Sequence, residues 1–187
     1  MSDTGGRRTA ELALPGAVCL YQGEELGFPE ADVPRERIQD PMHLRSGGTD
    51  PGRDGCRVPF PWSAQEPYAG FGSTTEPWLP QPAGWSSYAA DRQSTDPESM
   101  LSLYREALRL RRTEPGFRAA GAAGRQLTWP PSAPGVLAFT RTGGPTCVVG
   151  PGEEPVELPE GTDTLLLSGP LDERGRLPRD TAAWLRP

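Results

Sequence analysis

The residues best suited to chemistry cluster in one short stretch, Gly52-Arg53-Asp54-Gly55-Cys56-Arg57. The guanidinium of Arg53 presents a planar fork of donors that fits hydroxyl groups or a carboxylate. Asp54 and Arg57 are expected to pair with each other or with loop backbone instead. Glu24 and Glu25 are adjacent, and neighbours leaving a strand project to opposite sides, so they cannot face each other across one bond as an acid–base pair. Anchoring of their own loop is the expected role. Trp62, Trp78 and Trp85 offer flat faces that suit the apolar side of a pyranose, with packing against a core as the alternative for each. His43 is the only histidine, which leaves no His-based metal cluster and no second histidine for a nucleophilic triad. Cys19, Cys56 and Cys147 are odd in number and form no CxxC pair, so neither a disulfide framework nor a zinc site is expected, and no cofactor or metal is implied.

Composition bounds what can position these residues. The chain has 187 residues, too short for a complete (β/α)8 barrel of roughly 250 residues. It is 35% hydrophobic, and Gly and Pro each number 23, so little core is available and a chain that does not fold stably is a standing alternative. All basic residues are Arg and none is Lys, a bias that fits GC-rich coding rather than a functional choice. The net charge is −6 with no concentrated basic stretch, which argues against nucleic acid as a partner. No run of about 18 apolar residues occurs, so no membrane partner is expected, and the cysteine usage points to a reducing, cytoplasmic setting.

Three zones differ in texture. The first holds a short apolar run, Ala17-Val18-Cys19-Leu20-Tyr21, bounded by Pro15-Gly16 and Gly23, which reads as a doubly buried strand over 14–22. No neighbouring strand is visible upstream. The second zone, a Pro-, Gly- and Trp-rich loop over 23–94, has little periodicity, and its aromatics favour a functional loop over disorder. A helix over 96–112 follows. Thr95 and Glu98 have capping-box spacing, Asp96 is a second candidate cap, Pro97 suits the first turn, and Met100, Leu101, Tyr104, Leu108 and Leu110 form an apolar stripe. The third zone, 118–187, carries five apolar runs, at 135–140, 146–149, 155–158, 164–167 and 182–185, which argue a small antiparallel sheet or sandwich.

This order, and two motifs within it, resemble the end of an α-amylase superfamily enzyme. Leu14-Pro15-Gly16-Ala17-Val18-Cys19-Leu20-Tyr21-Gln22-Gly23-Glu24-Glu25-Leu26-Gly27 is similar to the eighth barrel strand and exit loop of oligo-1,6-glucosidases and related α-glucosidases of glycoside hydrolase family 13. The segment from Arg53 through Asp54, Arg57, Pro59 and Trp62 is similar to the R-D-[NG]-x-R-[TV]-P-x-x-W segment of the same enzymes. The resemblance implies an α/β remnant over 1–117, the last βα unit of a (β/α)8 barrel with its long loop, followed by a small antiparallel all-β sandwich domain over 118–187. It also implies that Arg53 grips the terminal glucose of an α-glucosidic oligosaccharide, with Glu24, Glu25, Asp54, Arg57 and Trp62 as loop or site support. Retaining hydrolysis needs two carboxyl groups about 5–5.5 Å apart. In the family these follow the fourth and fifth barrel strands, and a further Asp lies in an N-H-D motif; none of these segments has a counterpart here. The expectation is a fragment without catalytic residues, inactive alone and inclined to a complementing chain or self-association through the orphan strand. A stand-alone carbohydrate-binding or interaction module is the alternative.

Overall fold

A computed structural model describes residues 5–72, 75–118 and 126–186, which group into two compact units. One comprises residues 1–19 together with 103–187, and the other is the continuous segment 20–102. The helices are α1 (Gly5–Ala13), α2 (Pro41–Arg45), α3 (Ala90–Ser94), α4 (Met100–Thr113) and α5 (Pro115–Arg118). The strands are β1 (Leu127–Thr128), β2 (Leu137–Arg141), β3 (Thr146–Gly150), β4 (Asp163–Leu167) and β5 (Thr181–Arg186).

The strands form one antiparallel sheet in the order β1-β2-β3-β5-β4. Register assigns the two faces. Phe139 pairs with Cys147 and Cys147 with Trp184, so these three share a row, while Ala138, Val148 and Ala183 form the adjacent row on the opposite face. On the first face Phe117 of α5 meets Trp184 edge-on, with ring centroids 4.8 Å apart, and the Trp184 indole N–H donates to the Thr9 carbonyl of α1 at 3.1 Å. Gly6 lets α1 come this close: a Cβ there would lie 2.2 Å from the Asp180 carbonyl oxygen. The opposite face is covered by irregular chain, with Leu177 fully buried and Val156, Leu158 and Leu171 packed beside it, and a single bridge pairs Val156 with Leu177. Among the described residues the β region is therefore one sheet between helix and coil, not a sandwich of two sheets. The reason is local: the run at 155–158 is hemmed in by Pro155 and Pro159 and reaches only one bridge, so it does not extend into a strand.

Two further expectations are corrected. Residues 17–21 belong to no strand, and Leu20 and Tyr21 are exposed; a strand without a neighbour has no ladder to join. Helix α4 begins at Met100, four residues later than the capping-box spacing suggests. Its first turn is capped by Ser99, whose Oγ accepts the Ser102 N–H at 3.2 Å, while Asp96 folds onto the Glu98 N–H at 2.9 Å in a separate turn. The expected boundary at 117/118 abuts residues 119–125, which lie outside the described residues. Arg111, near the end of α4, donates to the carbonyls of Leu12, Leu14 and Gly16 and so closes the C-terminal end of α1.

The 20–102 unit has its own small core, in which Ala31, Val58, Leu79 and Trp85 pack with Phe28 and Val33. Gln93 is buried beneath it. Its Nε2 donates to the Leu26 carbonyl at 2.8 Å and the Tyr88 carbonyl at 3.1 Å, while its Oε1 accepts the Leu101 N–H at 3.1 Å. One amide thus ties three separate segments together. No helix among the described residues is long and apolar enough to cross a membrane.

Candidate functional site

Two stretches far apart in sequence meet in the 20–102 unit. The first runs from Tyr21 into a 3-10 turn, Glu24–Leu26. Gly23 enters this turn at φ 89°, and a Cβ there would lie 2.0 Å from the Phe28 ring, so only glycine fits. The Glu25 carboxylate accepts the Gly23 N–H at 2.9 Å and closes the turn on itself. The second stretch runs from Asp40 to Arg57. The Gln22 amide donates to the Cys56 carbonyl at 3.5 Å, and the Cys56 thiol donates to the Tyr21 hydroxyl at 3.8 Å, which brings the two together. The Cys56 contact, followed by partial burial, raises the Tyr21 hydroxyl above its ordinary pKa, while Arg57 and Arg53 oppose the shift.

The Arg53 loop is held by two aspartates. Asp54 is 2% exposed, and its carboxylate accepts the backbone N–H groups of Gln39 at 2.5 Å and Asp40 at 2.9 Å. Asp40 caps α2 through the Met42 N–H, with Pro41 at the first helical position. Its other oxygen accepts the Arg53 N–H at 2.9 Å and an Arg57 guanidinium N–H at 2.9 Å. The Met42 and Arg53 N–H groups, with Arg57 beside them, hold the Asp40 carboxyl below the usual carboxylate range. Asp40 was not singled out from the sequence, although Asp-Pro ahead of a short helix is a readable cap signal.

These contacts leave Arg53 in a distinct position. Its backbone is fixed by Asp40, Asp54 beside it is turned inward, and Arg57 occupies the remaining acceptor. The exposed Arg53 guanidinium makes no hydrogen bond or ion pair among the described residues. The arrangement is a rigid loop presenting a planar set of cationic donors, suited to a neutral polyhydroxyl ligand or a carboxylate. The carboxylates of Asp40, Asp54 and Glu25 are each engaged by loop donors.

The aromatic candidates separate. Trp85 is 5% exposed and belongs to the core. Trp62 and Trp78 are exposed, and Trp62 lies on buried Phe60 with ring centroids 4.3 Å apart. His43 is half-buried and its Nδ1 lies 3.1 Å from the Asp50 carbonyl, holding the 43–50 turn. All three cysteines are free, and no group of three or more His, Cys, Asp or Glu that could hold a metal occurs among the described residues.

Comparison with known proteins identifies the family. The family described as alpha amylase, catalytic domain, matches residues 7–120. A probable alpha-glucosidase of Rhizobium meliloti is 42% identical over 106 residues, covering 57% of this chain and 19% of that protein. Maltase A1 of Drosophila melanogaster is 35% identical over 111 residues, covering 56% of this chain and 18% of that protein. Among solved structures, an alpha-glucosyl transfer enzyme, XgtA, superposes with a TM-score of 0.77 at 33% identity, covering 98% of this chain and 36% of that one. The chain thus spans about a fifth of the curated relatives it matches. With a family match running from α1 through α5 and across both stretches of the site, the chain belongs to the alpha-amylase catalytic-domain family.

Proposed function

We propose that this chain carries the substrate-recognition loop and C-terminal β region of an α-glucosidase, an enzyme that releases terminal α-linked glucose from oligosaccharides. Arg53 contacts the terminal glucose, and Asp54, Arg57, Glu24 and Glu25 hold the loops that present it. The observation that carries the reading is the closure of the Tyr21–Gln22 stretch onto Cys56, with the Arg53 donors left unengaged. The relatives named alpha-glucosidase and maltase support the substrate class.

In this reading the catalytic nucleophile and acid/base are supplied by sequence outside the 187 residues, and the chain does not hydrolyse substrate alone. Exposed Leu20 and Tyr21, in an apolar run that belongs to no strand of the sheet, suit pairing with a complementing chain or a second copy. The test is release of p-nitrophenol from p-nitrophenyl α-glucoside, by the pure chain and by the chain mixed with the preceding portion of the Rhizobium meliloti relative. No release is expected from the chain alone. Activity is expected in the mixture, falling about 100-fold in Arg53→Ala, because two charge-assisted bonds contribute about 1.5 kcal/mol each. Turnover by the pure chain, or an Arg53→Ala mixture as active as the wild type, would overturn the reading.

A further inference from the structure

Between Pro61 and Phe71 the chain spends conformational energy to display aromatic rings. Tyr68 and Ala69 both adopt left-handed backbone, at φ 50° and 51°, and Gly70 follows at φ 74°. Non-glycine residues in this region cost about 1–3 kcal/mol each and persist only where surrounding contacts over-determine them. Those contacts are present. The Ala69 carbonyl accepts the N–H groups of both Trp62 and Ser63, at 2.8 and 2.9 Å, and the Asp91 carboxylate accepts the Ala64 N–H at 3.1 Å. The Trp62 carbonyl accepts the Asp91 N–H at 3.0 Å.

Trp62, Tyr68 and Phe71 remain exposed on this turn, at 55%, 37% and 53%. Trp62 is not free to swing. It is the outer member of an aromatic column that starts in the core, running from Trp85 to Phe28 at 4.7 Å, Phe28 to Phe60 at 6.0 Å, and Phe60 to Trp62 at 4.3 Å. One face of the indole is therefore backed and the other open. Each side chain has about 150–250 Å² to bury, so the exposed portions total under about 400 Å². That is well short of the roughly 800 Å² per partner of a stable protein interface, and it matches one or two sugar rings. Gln65 and Glu66, both exposed between Trp62 and Tyr68, add hydroxyl-binding groups at the edge that an apolar partner would have to desolvate.

We propose that Trp62, Tyr68 and Phe71 form a preorganised platform for pyranose rings, separate from the Arg53 contact. The α-linkage of its ligand rests on the α-glucosidase reading; the platform does not. The test is calorimetric titration of the 187-residue chain with maltotriose and, separately, cellotriose. Maltotriose binding is expected to weaken about tenfold or more in Trp62→Ala and to be largely retained in Trp62→Phe. Because Trp62 lies outside the core, an unchanged thermal transition accompanies each variant. Absence of saturable binding of either sugar, or equal affinity in Trp62→Ala, overturns the platform. So does a patch that drives self-association, broken by Trp62→Ala and indifferent to sugar. Binding of cellotriose in place of maltotriose, still lost in Trp62→Ala, upholds the platform and overturns the α-glucosidic reading alone.

Discussion

Replacing Gln93 by methionine keeps the length and volume of the side chain but removes its amide. The carbonyls of Leu26 and Tyr88 and the N–H of Leu101 then lose their partner within a site that is 9% exposed. A net hydrogen bond contributes about 1 kcal/mol, and a buried group left unsatisfied costs about 1–3 kcal/mol, so the substitution destabilises the 20–102 unit by about 3 kcal/mol. With a urea dependence of roughly 1.5–2 kcal/mol per molar, the midpoint falls by about 1.5–2 M. Unfolding followed by tryptophan fluorescence reads that shift, since Trp62, Trp78 and Trp85 all lie in this unit. Exchange of the Leu101 amide gives an independent local measure, with protection expected to drop about 100-fold. A midpoint shift below about 0.5 M with Leu101 protection intact would refute the assignment of Gln93 as the tie between these segments.

Neighbouring residues at the site separate in the same way. Asp54→Ala removes a buried acceptor of two backbone N–H groups and is expected to destabilise by about 2–4 kcal/mol in urea unfolding, whereas Arg53→Ala stays within about 0.5 kcal/mol. Acid acts through Asp40: its folded-state pKa lies below the unfolded value, so its contribution is complete above about pH 4 and is lost as pH falls through the depressed value. Amide exchange across 39–57 is expected to accelerate in that acid range and to be unchanged between pH 5 and 7. Thiol labelling at pH 8 is expected to reach exposed Cys19 rapidly and Cys147 only on unfolding, because burial pushes the Cys147 thiol up to about 12.

Much of the β region was legible in the sequence because its apolar runs coincide with the strands. The runs at 146–149, 164–167 and 182–185 became β3, β4 and β5, and that at 135–140 became β2 with a short shift. β1 is only two residues long and carries no pattern to read. Helix α1 was missed because Gly5-Gly6 oppose helix on propensity alone, and only contact with β5 makes Gly6 an advantage. The Arg53 loop was found from residue types and a family resemblance. The inward turn of Asp54 and the cap at Asp40 are tertiary matters, set by which backbone donors the loop fails to pair with itself. Trp62, Trp78 and Trp85 look alike in sequence, and only the position of the small core decides that Trp85 is inside it.

The bond from Trp184 to Thr9 joins residues 175 positions apart. During synthesis α1 emerges long before β5, so it must wait, with Leu12 and Ala13 uncovered, until residues 181–186 have been made. The 20–102 unit can condense in that interval, and its folding shortens the effective loop that has to close. The order of assembly is therefore inside-out: the 20–102 segment first, and the flanking α1 and β5 brought together last.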